Sequence, residues 1–158
     1  VYQDLLSVVV RVDFDANEYT DFYVYTIDLR KDILLSKDDV LAYLDIDEDS
    51  YEKNVQDAMD SCFTNTYKDM EGTDSFLKET YDWTVALSNV RDAVPYVDED
   101  GELCVVGKIY SVAGPSYYPR QLSVDNLENE CEYSGRTYEP FYYNPTSEDD
   151  SSDDSSAL

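Results

Sequence analysis

Apolar and polar residues alternate differently in different parts of this chain, and the differences mark out its elements. LLSVVVRVDF, from Leu5, and TDFYVYTIDL, ending at Leu29, are dominated by β-branched and aromatic residues, which suit a pleated, half-buried surface. A polar turn, DANEYT, lies between them. The second run alternates, with Phe22, Val24 and Thr26 on one face and Tyr23, Tyr25 and Ile27 on the other. The first run carries Val8, Val9, Val10 and Val12 almost continuously, which predicts a strand buried on both faces at the middle of a sheet.

Helical spacing follows. Ser36 is placed as an N-cap with Asp39 as its capping partner, and Val40, Leu41 and Leu44 form a short stripe. A second helix is expected to start at Asp49, with Glu52 completing its capping box. Tyr51, Val55, Ala58, Met59, Cys62 and Phe63 then fall on one stripe, and Gly72 is the expected stop. Phe76, Leu77, Thr80 and Tyr81 again have helical spacing, whereas helix and strand compete over Trp83–Leu87. Ser88 is a candidate cap for one turn before Pro95. In VPYVDEDGELCVVGKIY, an acidic turn closed by Gly101 between apolar runs predicts a hairpin, and Gly107 marks a bulge or a close contact. Pro115 and Pro119 bracket SYYP as a loop, and QLSVD reads as a last short strand. These elements predict an α+β fold, an antiparallel sheet of about four strands with two or three helices on one face.

Composition divides the chain. Residues 1–124 are expected to form a single α+β domain, 125–145 an aromatic and acidic extension, and 146–158 a disordered acidic tail. The chain begins at Val1 without Met, which suggests a fragment or a processed product. The net charge is −25, from 36 acidic and 11 basic side chains. That balance argues against direct nucleic-acid binding and against contact with an anionic membrane, and it favours a basic partner, divalent cations or simple solubility. No segment has the length and apolarity of a membrane span.

Catalytic chemistry has little to work with. The chain has no His, hence no usual general base, triad member or zinc ligand. Cys62, Cys104 and Cys131 show no metal or redox spacing; Cys62 and Cys104 sit in apolar patterns as core residues, and the count of three leaves the redox compartment open. Asp45, Asp47 and Asp49 begin like a calcium loop, but Ser50 and Gln56 stand where Gly and Glu are required, so a helix start is the better reading. Asp98, Glu99 and Asp100 read as a solvated turn. No metal, cofactor or catalytic residue is therefore expected. Sixteen Tyr are many for this length; strands absorb most, and Tyr also serves binding surfaces well. Tyr117, Tyr118, Tyr138, Phe141, Tyr142 and Tyr143 are the candidate binding residues.

DLLSVVVRVD, then YTDFYVYTIDLRKDILLSKDDVLAYL, then a helix and VDEDGELCVV, resemble the C-terminal domain of the RsiV-type anti-sigma factors. The same domain accompanies some secreted peptidoglycan deacetylases. The likeness runs from about Leu5 to Val112, with DFDANEYTD in place of the family's His- and Gly-rich segment and with GPSYYP a poor match to its proline-bearing one. The resemblance implies a non-catalytic, extracytoplasmic bacterial binding or sensing domain, secreted or at the cell surface, and a basic, lysozyme-like protein or a cell-wall-associated molecule as its partner. The alternative is an acidic nucleic-acid mimic that inhibits a DNA-binding protein, which requires carboxylates regularly spaced on one face.

Overall fold

The long amphipathic stripe sets the core. In the computed structural model, which describes residues 1–14, 19–70, 75–112 and 116–125, helix α2 spans Glu48–Tyr67 and buries Tyr51, Val55, Ala58, Met59, Cys62 and Phe63, the six stripe residues. Its N-cap is Asp47 rather than the expected Asp49: the Asp47 carboxylate accepts from the Ser50 N–H at 2.9 Å and the Ser50 hydroxyl at 2.7 Å. Glu52 is free to pair with Arg91 instead, at 2.6 Å. Helix α1 (Lys37–Tyr43) starts at the expected Ser36–Asp39 capping box. Helix α2 ends at Tyr67, and Gly72 lies outside the described residues.

The strands are β1 (Leu5–Phe14), β2 (Tyr19–Asp28), β3 (Ile33–Leu34), β4 (Val94–Val97), β5 (Leu103–Tyr110) and β6 (Tyr117–Ser123). Helices α3 (Ser75–Thr84) and α4 (Leu87–Asp92) complete the order between β3 and β4. The fold is α+β, and among the described residues all pairing is antiparallel, in two sheets of three strands, β1-β2-β3 and β4-β5-β6, with four helices. Around Trp83–Leu87 the chain resolves as the end of one helix and the start of another, and Ser88 lies inside α4, whose N-cap is Ala86.

Leu103, Val105 and Ile109 of β5, with Leu122 of β6, join the α2 stripe in one apolar cluster. Gly107 belongs to that face: a Cβ there would lie 2.5 Å from Met59 Cε, so the glycine admits the helix and no bulge interrupts the register. The hairpin turn between β4 and β5 uses Gly101 at φ +89, with the Asp98 carboxylate accepting from the N–H groups of Asp100 and Glu102. Tyr96 and Cys104, cross-strand partners of opposite orientation to Leu103 and Val105, are also buried. Strand β2 of the first sheet packs against both β4 and β6, the two outer strands of the second, and Leu5 of β1 packs with Val97 of β4. Ser7 Oγ accepts from the Val97 N–H across this junction at 3.2 Å.

This stacking overturns the placement of β1. It is an edge strand, with β2 central, and Val8 and Val10 are 37% and 40% exposed. The Val run does not mark a doubly buried strand. Its inner face meets the second sheet near Leu5, while its outer face meets solvent. We therefore expect Val8→Asp to leave the domain folded, costing no more than about 1 kcal/mol in β-propensity and packing. Val105→Asp, at a fully buried position of β5, should cost several kcal/mol, roughly the penalty of an unpaired buried charge. Chemical denaturation of the two variants checks the assignment; equal losses would contradict it.

Candidate interaction face

Cross-strand register builds the site. Leu6 stands opposite Ile27, Val8 opposite Tyr25, Val10 opposite Tyr23 and Val12 opposite Asp21, while Leu34 of β3 pairs with Ile27. Directly paired residues share a face, so these side chains form one surface, extending roughly 20 Å along β1 at the usual rise per residue. Tyr23 is 46% exposed, Tyr25 44% and Leu34 62%. An antiparallel sheet with one solvated face ordinarily alternates apolar inside and polar outside. Here the pattern is reversed: the inner face mixes Leu5, Val9, Phe22 and Val24 with Ser7, Thr26 and Asp28, while the outer face is apolar and aromatic and stays uncovered. Contiguous exposed apolar surface of this kind marks interaction sites.

Polar groups frame the face without breaking it. Asp21 sits at one end in register with Val12. At the other end, the turn after β2 is held by Asp28, which accepts from the N–H groups of Arg30 and Lys31 and pairs with the Lys31 ammonium at 3.1 Å. Burial works against the Asp28 charge, but the Lys31 N–H and ammonium and the Arg30 N–H outweigh it and hold the carboxyl below its usual range. Arg30 also pairs with Asp4. The turn is thus pinned, and it carries Leu34 to its place beside β2.

The sequence-predicted aromatic anchors fall elsewhere. Tyr117 and Tyr118 are not in a loop but begin β6, and as strand neighbours they point to opposite faces. The Tyr117 ring lies 6.0 Å from Tyr110, with Lys108 Nζ 5.3 Å from its centroid. Arg120 stacks on the Tyr118 ring at 5.3 Å. Both tyrosines are half-buried, so they do not form a joint anchor. Tyr138, Phe141, Tyr142 and Tyr143 lie outside the described residues. The extension and the acidic tail begin there too, apart from Asp125, which accepts from the Leu103 N–H. Tyr23 and Tyr25, which sequence reasoning did not single out, occupy the exposed face. The signal was the alternation of β2, which puts Tyr23, Tyr25 and Ile27 together on one face.

Of the cysteines expected in the core, both described ones are buried. Cys62 is disulfide-bonded, whereas Cys104 carries a free thiol. Burial, reinforced by the Asp98 carboxylate, pushes that thiol up to about 12, so it is inert at neutral pH. Asp45, at φ +57, closes the end of α1, where its N–H reaches the Ala42 carbonyl and the Ile46 N–H the Leu41 carbonyl, and Asp47 caps the start of α2. Among the described residues, no three acidic or cysteine side chains converge as a metal site would need, and no helix is long and apolar enough to cross a membrane. Compared with models of known families, with curated proteins and with solved structures, the chain matches none.

Proposed function

We propose that this chain is a non-catalytic binding domain that acts outside the cytoplasm and recognises a basic protein through the outward face of β1 and β2. The observation that carries the reading is the exposed surface formed by Val8, Val10, Tyr23 and Tyr25, an apolar centre on a molecule of net charge −25. Rigid aromatic side chains supply contact area at low entropic cost. Interface energy concentrates in such anchors, while surrounding carboxylates speed the encounter with a cationic partner. A disulfide at Cys62 supports an oxidising compartment, where such bonds persist. The resemblance to RsiV-type domains supports a lysozyme-like protein as the partner.

Titration with lysozyme tests this. Binding is expected to weaken with salt yet survive at physiological ionic strength, since only the long-range part is screened. Replacing both Tyr23 and Tyr25 by Ser should weaken it at least ~30-fold, the equivalent of losing one strong anchor. Replacing acidic residues at the rim should chiefly slow association. Binding that disappears at physiological salt, or that ignores the tyrosine variant, would defeat the reading.

A further inference from the structure

A second site lies where α3 and α4 meet the end of β5. Trp83, the chain's one tryptophan, is 43% exposed. Its ring lies 5.7 Å from Tyr110, which in turn lies 6.0 Å from Tyr117. Trp83 and Tyr110 form an aromatic wall along a cleft of about 290 Å³, lined by these two with Ala86, Ser88, Asn89 and Asp92, and Tyr117 backs Tyr110 outside that lining. Ligand cavities begin at about this size, roughly 300 Å³.

The wall is held from behind. Strand β4 pairs with β5 only as far as Val106, which leaves the far end of that β5 edge to be satisfied by side chains. The Tyr110 N–H donates to Thr84 Oγ1 at 3.0 Å. Asn89 Nδ2 donates to the Thr84 carbonyl at 2.8 Å and to the Lys108 carbonyl at 2.9 Å. Thr84 and Asn89 are both buried. The backbone that carries Trp83 and Tyr110 is thus tied together before any ligand arrives, which lowers the entropy lost on binding.

The other groups at the cleft are polar and mixed in character. The Asp92 carboxylate accepts and the Ser88 hydroxyl both donates and accepts, while beside the lining the Lys108 ammonium, 3.7 Å from Asp92, donates. That separation is longer than a hydrogen bond, so each partner retains capacity for a ligand. A cationic ligand would meet the Lys108 charge, and an anionic one would meet Asp92 and the net charge of −25. What fits is a neutral ring with an apolar face and a hydroxylated edge.

We propose that this cleft binds a pyranose residue of a neutral oligosaccharide, its C–H face stacked on Trp83 and its hydroxyls reaching Asp92 and Ser88. The proposal does not rest on the protein-binding face. Because Trp83 is the only tryptophan, the emission of the intact chain reports on this cleft alone. Titration with a panel of β-1,4-linked glucose and N-acetylglucosamine oligomers and α-linked mannose oligomers should give a saturable emission change with at least one of them. Calorimetry with that sugar should show affinity abolished in Trp83→Ala and about tenfold weaker in Asp92→Asn, the loss of one charge-assisted hydrogen bond. Both positions are exposed, and circular dichroism confirms that the variants fold. Trp83→Ala should leave the lysozyme titration unchanged. No response to any sugar on the order of 10 mM, or a response to N-acetyl-lysine amide in place of the sugars, would overturn the proposal.

Discussion

Replacing Tyr51 by Ala is expected to remove about 3–5 kcal/mol of stability, the range for deleting a large buried side chain. Tyr51 sits in the first turns of α2, fully buried within the apolar cluster shared with β5 and β6. Its hydroxyl donates to the Ala93 carbonyl at 3.1 Å, tying α2 to the segment that leads into β4. Lys37 Nζ lies 4.3 Å from the ring centroid, so the same side chain also anchors α1. The alanine variant loses three links at once and leaves the Ala93 carbonyl unpartnered. Domains of this size have only about 5–15 kcal/mol in total, so the loss should shift the denaturation midpoint by a large fraction. Tyr51→Phe keeps the volume and drops only the hydrogen bond, for about 1 kcal/mol. If Ala and Phe cost the same, the packing role is wrong.

The same residue gives a pH dependence with a defined sign. Burial raises the Tyr51 hydroxyl above its ordinary range. A group whose folded pKa is raised contributes stability that is whole below its unfolded value, about 10 for Tyr, and is lost as pH climbs towards the folded value. The Cys104 thiol, up at about 12 for the same cause and from the Asp98 charge, acts in the same direction from a lower starting point. Alkaline unfolding should therefore begin in this window, and Tyr51→Phe should flatten its upper part without removing the thiol contribution.

What the residues revealed in advance follows from what periodicity can encode. The α2 stripe was legible because six apolar positions at helical spacing have one good solution, burial against a sheet. The β4–β5 hairpin was legible because an acidic turn ending in Gly101 needs a positive φ. The Val run of β1 misled because apolar residues on both faces describe a central strand and an unpartnered interface equally well; only the stacking of the two sheets separates them. Pro119 misled for a different reason. Its missing N–H excludes it from central strands, but β6 is an edge, where proline is tolerated opposite Lys108. The Trp83 cleft was not legible at all. It depends on Thr84 and Asn89 meeting the end of β5, contacts between residues about twenty positions apart, which no local pattern carries.

The disulfide at Cys62 leads to the second large effect. Cys104 is free, and the chain's third cysteine, Cys131, lies outside the described residues. Non-reducing peptide mapping is therefore expected to recover Cys62 in a cross-linked peptide, with Cys104 alkylated only after denaturation. Cys62 lies on the buried stripe of α2 beside Met59 and Phe63, so a cross-link there acts on the helix that organises the core. A link that closes a long loop restricts the unfolded chain, and its removal typically costs about 2–4 kcal/mol. Reducing the intact protein should lower stability by that amount while leaving the buried Cys62 side chain in place. The binding reading makes a further demand on this bond. A domain working in an oxidising compartment should keep the bond through purification without added oxidant. Recovery of all three thiols in reduced form from protein isolated under thiol-blocking conditions would remove the support that the cross-link gives to an extracytoplasmic role, while leaving the tyrosine face to be judged by its own titration.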